Sequence, residues 1–176
     1  MVVKIWKPHP LDLTIVEVLE KKGAMTDSEL FDLLKEVHED LGFGVLNQTL
    51  MKMEVGGICG TDVKLYKHPP TKEHVIMGHE NIGTIAKAGR EFTARKGFKE
   101  GDLVFVEHYV SCGKCEWCHA GQYRHCENTN WRTNPDAIRY GYTSAEKAPH
   151  LWGGFAQYVY LPWNSVIHHV PKGVSP

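Results

Sequence analysis

The chain lacks several things that would narrow its class at once. It has no apolar run near the length needed to cross a bilayer. Its opening residues, MVVKIWKPHP, lack the apolar core and small-residue cleavage site of a secretory leader. It lacks a charge excess: 20 basic residues face 21 acidic ones, so nothing draws it in bulk to nucleic acid or to an anionic membrane. No G-x-G-x-x-G follows a strand and opens a helix, so dinucleotide binding is without its usual phosphate loop. Residues 1–55 contain no cysteine and no arginine, and hold six lysines against ten acidic residues, a poor composition for phosphate contacts. The expectation is a globular protein without membrane contact, in a reducing cytoplasm. At 176 residues, with 42% hydrophobic and 23% charged content, it has enough chain for one mid-sized domain or two small ones.

What is present is concentrated. Cys112, Cys115, Cys118 and Cys126 lie in SCGKCEWCHAGQYRHC, spaced C-x2-C-x2-C-x7-C. Four thiolates so close can wrap one tetrahedral zinc ion at about 2.3 Å each. Two disulfides or an iron–sulfur cluster would use the same residues, but a reducing compartment and three cysteines crowded into one short turn favour the metal. An all-cysteine shell has no open position, so this site is a structural staple. Any chemistry must lie elsewhere.

The two ends of the chain follow different patterns. In residues 1–55, Leu11, Ile15, Val18 and Leu19 recur at helical spacing. Thr26-Asp27-Ser28-Glu29 forms a capping box ahead of Leu30, Leu34, Val37 and Leu41. Val45 to Met53 fits a third helix or a strand. Residues 56–176 are rich in glycine and β-branched residues. Ile82 to Ala86, Asp102 to Tyr109, Phe155 to Leu161 and Ser165 to Val170 read as short strands punctuated by glycine and proline. Many short strands suggest a barrel or sandwich. The stretch from Cys112 to Trp152 has little periodicity, and a metal clip would offset the entropy of so long a loop.

The fifth cysteine, Cys59, sits in GGICGTD, and His79 and Glu80 follow in MGHENIG. Cysteine and histidine with an adjacent carboxylate suit zinc, and an incomplete shell leaves room for water or substrate. The plain alternatives are a buried apolar cysteine and a surface His-Glu pair. His68, His108, His119, His125, His168 and His169 show no ligand spacing. Trp117 and Trp131, in and after the cysteine run, read as packing residues.

The wider motif set decides between these. GICGTD (Gly57 to Asp62 with Gly56 before it), GHE-x-x-G-x5-G (Gly78 to Gly89), GD-x-V (Gly101 to Val104), the four-cysteine lobe and GGFAQY (Gly153 to Tyr158) stand in the order of the zinc-containing medium-chain dehydrogenases. Residues 56–176 resemble the catalytic domain of those alcohol, polyol and sugar dehydrogenases. The resemblance implies a GroES-like β-barrel carrying a catalytic zinc and a structural zinc. It implies Cys59 and His79 as ligands of the first, with Glu80 as a ligand or its acidic neighbour. It implies Thr61 as the hydroxyl that relays the substrate's proton, and Cys112, Cys115, Cys118 and Cys126 as ligands of the structural ion. NAD(P) is the hydride acceptor in that family.

The departures shape the remaining expectations. Lys64 stands where many members carry a relay histidine, and Phe92 where the signature has a smaller residue. The family's dinucleotide-binding domain and third ligand are not in this sequence, so the chain is expected to be unable to transfer hydride alone. Residues 1–55 loosely resemble a helix-turn-helix or winged-helix regulator of archaeal type, with Leu34 to Val55 as second helix, turn and recognition helix. Asn47, Gln48 and Lys52 would then face DNA, although the charge balance argues against nucleic acid. The expected fold is therefore α+β: a helical segment over 1–55 joined to a partial, zinc-stapled GroES-like barrel over 56–176, with no Rossmann domain. Such a join suggests a chimera or an engineered recombinant. A barrel without its opening strands would leave unpaired edges, to be covered by residues 1–55 or by pairing of chains in a homo-oligomer. Two other functions fit the residues: a DNA-binding or protein-interaction module with a purely structural zinc, and a residual zinc–hydroxide hydrolase at Cys59 and His79.

Overall fold

A computed structural model of the chain describes residues 48–69, 71–130 and 132–176. Five strands form one antiparallel sheet: β1 (Thr49–Gly57), β2 (Glu80–Lys87), β3 (Leu103–Val110), β4 (Tyr158–Leu161) and β5 (Ser165–His169). Their order across the sheet is β4-β1-β2-β3-β5. Among the described residues, three α-helices decorate it: α1 (Gly60–Lys67), α2 (Arg90–Lys96) and α3 (Glu116–His119). The helices expected in residues 1–47, the capping box among them, lie outside the described residues, as does Trp131.

Of the two readings open for the segment ahead of GGICGTD, the structure takes the strand and not the recognition helix: β1 runs across the boundary drawn between residues 55 and 56. Its partners explain why. Thr49 to Lys52 pair with β4, and Leu50 to Gly57 pair with β2, so β1 is a central strand with both edges engaged. Lys52 therefore sits in the ladder, opposite Thr84, and is not on a DNA-reading helix. The barrel keeps a strand ahead of GGICGTD that the expected boundary had removed.

The sheet cannot be flat. β4 and β5 are its two outer strands, yet only Pro162, Trp163 and Asn164 separate them in the chain. Five flat strands would hold the edges about 19 Å apart, at about 4.8 Å per spacing. Four residue steps span at most about 14 Å. The sheet must curl until its edges meet at this corner. Tyr140 pins them there: its phenol donates to the Tyr160 carbonyl (2.8 Å) and lies 3.1 Å from Ser165 Oγ. Tyr140 is fully buried, and burial pushes its phenol well above the ordinary tyrosine pKa.

Inside the curl, Met51, Ile85, Val104, Val159, Leu161 and Trp152 form the core. Strand β2 alternates as a half-buried strand should, with Asn81, Gly83, Ile85 and Lys87 inward. Helix α2 ends on Gly97 in the left-handed conformation (φ 75°) and turns Phe92 onto Phe98, ring centroids 6.5 Å apart. Phe92, noted in the sequence as oversized, is thus a core plug that is 2% exposed.

Candidate metal centres

Cys59 occupies the N-cap of α1. Its sulfur takes the place of a serine oxygen: Thr61 N–H donates to Sγ (3.2 Å), and Cys59 N–H donates to Asp62 Oδ2 (2.9 Å). This is a capping box written C-x-x-D, and it fixes the cysteine at the mouth of the helix. An N–H directed at sulfur is an arrangement that a metal-bound thiolate accepts.

His79 arrives from the other side. It follows Gly78, whose φ of 92° lies in the left-handed region, and a Cβ there would stand 2.7 Å from the Phe155 backbone nitrogen. Only glycine makes that turn without a clash. His79 Nε2 then stands 3.3 Å from Cys59 Sγ. Its other nitrogen, Nδ1, faces Asp62 Oδ1 at 3.4 Å. That is longer than a formed hydrogen bond, but neither atom has another partner. The buried carboxylate favours the tautomer with the proton on Nδ1, leaving the Nε2 lone pair toward the cysteine. Glu80 is exposed and pairs across the ladder with Gly57. A Cβ on Gly57 would collide with the Glu80 carboxylate, so the glycine leaves room for it.

The ligand atoms of Cys59, His79 and Glu80 all lie within 4.8 Å of one another. A tetrahedral zinc would place sulfur and nitrogen ligands about 3.6 Å apart, close to the separation found. One sulfur, one imidazole and one carboxylate form a donor set that zinc accepts, with a position open for a further ligand. The residues fit the ion. They line a cleft of about 660 Å³ together with Thr61, Asn81, Val106, Glu107, His108 and Arg124.

Sequence spacing singled out neither Asp62 nor His108 as site residues. Asp62 is only 2% exposed, accepts the Cys59 N–H and faces His79. The signal that reveals it is the C-x-x-D box. His108 stacks on Tyr109 with centroids 3.9 Å apart, and its ring lies 5.3 Å from that of His79. Burial, then the charges of His79, Arg139 and Arg124, lower its pKa to about 4, so it is neutral at pH 7. Lys64 and His68 are exposed at the far end of α1.

The second cluster is built from a loop. Cys115 caps α3, and Cys126 is buried. Cys118 Sγ lies 3.5 Å from Cys115 Sγ and 3.9 Å from Cys112 Sγ, while Cys112 N–H donates to Cys126 Sγ at 3.2 Å. A ZnS4 tetrahedron has edges of about 3.8 Å. All four are free thiols, and all four sulfurs fall within 4.8 Å of each other. A backbone N–H from Cys118 lowers the Cys115 pKa to about 6, whereas burial raises Cys126 to about 12. The four residues fit a closed structural zinc.

No helix among the described residues is long and apolar enough to cross a membrane. Comparison with known proteins agrees with the geometry. Residues 46–172 match the family model of the alcohol dehydrogenase GroES-like domain. The chain is 35% identical over 131 residues to a sorbitol dehydrogenase of Halalkalibacterium halodurans, covering 73% of this chain and 33% of that one. An alcohol dehydrogenase of Thermus sp. ATN1 superposes with a TM-score of 0.57 at 26% identity, over 73% of this chain and 34% of that one. An acetophenone reductase of Geotrichum candidum, solved in complex with NAD, superposes with a TM-score of 0.54 at 26% identity, over 73% and 34%. The chain spans about a third of the length of the curated relatives it matches.

Proposed function

Because the chain belongs to the alcohol dehydrogenase GroES-like domain family, we propose that it is the zinc-binding, substrate-facing part of a nicotinamide-dependent alcohol dehydrogenase. The observation that carries this reading is the convergence of Cys59, His79 and Glu80 at one end of the barrel. Zinc held there would supply Lewis acidity to an alcohol oxygen and so lower its pKa. The chain's own residues do the rest. Cys59 and His79 hold the ion, with Asp62 fixing the donor nitrogen of one and the helix position of the other. Glu80 closes the set as a ligand or as its acidic neighbour. Thr61, one residue into α1 and lining the same cleft, offers the hydroxyl that would relay the substrate's proton, taking it up while passing its own on to solvent. The hydride would leave for NAD(P) held by a nucleotide-binding domain, which the NAD complex of the acetophenone reductase makes the reference point.

The test is metal stoichiometry. The full chain, purified with zinc and desalted, is expected to carry two zinc ions. Cys59→Ala is expected to carry one, and a Cys112→Ala/Cys115→Ala chain to lose the other. A single ion in the starting chain, unmoved by Cys59→Ala, would leave the structural staple as the only zinc site and defeat the proposal.

A further inference from the structure

His79 is held in place by residues that are not ligands. The backbone ahead of it is gripped from two sides. Gly154 N–H donates to the Gly78 carbonyl (2.9 Å), and Phe155 N–H to the Met77 carbonyl (2.8 Å). Gly141 closes on the same stretch from another segment: a Cβ there would stand 3.0 Å from the Gly78 oxygen and 3.1 Å from its carbonyl carbon. Gly141 has a φ of 80°, and its N–H donates to the Trp152 carbonyl at 2.7 Å. Glycine meets both demands, the left-handed turn and the close approach. The turn that carries it is locked. Thr143 Oγ1 accepts the Arg139 N–H (2.9 Å) and donates to the Arg139 carbonyl (3.0 Å), while Tyr140 N–H donates to the His108 carbonyl on β3 (2.9 Å).

The next residue reaches the imidazole. The Tyr142 ring lies 5.7 Å from that of His79, tilted by 46°, inside the range of about 4.5–7 Å at which aromatic pairs pack. Tyr142 also stacks on His108 at 17°, centroids 5.6 Å apart, and His108 stands 5.3 Å from His79. The two rings form one wall against the imidazole. The Arg139 guanidinium lies over the Tyr142 ring at 4.4 Å and steadies it. Asp62 faces only one nitrogen of His79. A single contact at Nδ1 leaves the ring able to pivot and carry Nε2 away from Cys59. A wall against the ring removes that freedom. We propose that the turn over 139–143 is the positioning element of the Cys59–His79 metal site, with Gly141 seating the Gly78 peptide and Tyr142 setting the plane of the imidazole. The proposal rests on the reading of Cys59, His79 and Glu80 as a metal site, and names residues that set its affinity without being ligands.

The test uses the full chain and needs no hydride transfer. Cobalt replaces zinc so that its absorption bands report the ligand geometry. Each chain is titrated beside its own Cys59→Ala counterpart, and the difference spectrum belongs to the Cys59 site. The four-cysteine site, present in both, is the folding control. Tyr142→Leu keeps apolar bulk but loses the ring. Its cobalt affinity at the Cys59 site is expected to fall about tenfold, the lower end of what groups orienting a ligating histidine carry. Its difference bands should move, with four-cysteine affinity unchanged. Tyr142→Phe keeps the ring and is expected to match the starting chain in affinity and band position. Gly141→Ala, which presses on the Gly78 carbonyl, should lose at least as much as Tyr142→Leu; full affinity there overturns the role of Gly141. Unchanged affinity and bands in Tyr142→Leu overturn the role of Tyr142. An equal loss in Tyr142→Phe does the same, because the effect then lies in the hydroxyl. So does loss of both metals in Tyr142→Leu, which makes Tyr142 a residue of general stability. Absence of any Cys59-dependent band in the starting chain overturns the metal site itself, and the positioning element with it.

Discussion

The carboxylate of Asp62 accepts the Cys59 N–H through one oxygen and faces His79 through the other. One buried side chain thereby sets both the sulfur and the imidazole. Groups that orient a metal-ligating histidine typically carry 10- to 100-fold in metal affinity. Asp62→Asn keeps an acceptor for the Cys59 N–H but loses the charge facing His79. Its zinc affinity at the Cys59 site should fall by about that factor in a chelator competition, with the four-cysteine ion retained. Unchanged affinity would reduce Asp62 to a helix cap. At this scale the sequence was legible where chemistry follows local order. Cys59, His79 and Glu80 stand in compact motifs, and the four cysteines announce themselves by spacing. His108 was not legible, because its neighbours Tyr142 and His79 come from distant segments and meet it only through the fold. Asp62 lay inside a quoted motif, but its role shows only once Cys59 is seen to cap a helix.

Strands β2 to β5 follow stretches whose branched and aromatic residues already read as strands. Helices α1 and α2 were not foreseen. Each is two turns or little more, too short for a clear hydrophobic period, and α1 is capped by a cysteine in place of serine or threonine. The segment that becomes β1 was left between helix and strand. Leu34 to Val55 has helical spacing at its start, but β1 is recruited by β2 and β4, and tertiary pairing overrides local preference. Two predictions belong to elements. Phe92→Ala removes the aromatic that seats α2 on Phe98, and should lower unfolding free energy by about 3–5 kcal/mol in urea titration. Chelation of the four-cysteine ion should raise amide exchange across residues 112–126 while β2 and β3 remain protected. Their hydrogen bonds lie in the sheet, whereas the loop has only short helical turns to hold it. Equal loss of protection in both would mean that the ion holds the whole barrel and not the lobe alone.

For the molecule as a whole, the length of the relatives sets the expectation. The sequence spans about a third of theirs and contains no phosphate loop of the dinucleotide-binding kind. Zinc-loaded, this 176-residue chain should bind its metals and form no reduced nicotinamide from an alcohol and NAD(P). A chelator-sensitive rate that copurified with the chain would refute that expectation. The overall class of fold was readable from the motif order, but its closure was not. Nothing local signals that Thr49 will pair with Leu161, or that Val106 will pair with Ile167.

Closure also dictates a timetable. Strand β1 is made early and cannot complete its ladder until β4 exists, and β4 and β5 are brought in by the same three-residue corner. During synthesis, then, β1, β2 and β3 wait as an open meander until residues 158–169 emerge and shut both sides at nearly the same moment. Folding of this kind is slow for its size, because contacts between distant segments require loop closure before they stabilise anything. A circular permutant cut at Asn164 would release the two sides from each other. They could then zip independently, and the seam held by Tyr140 would become the place where the barrel breathes.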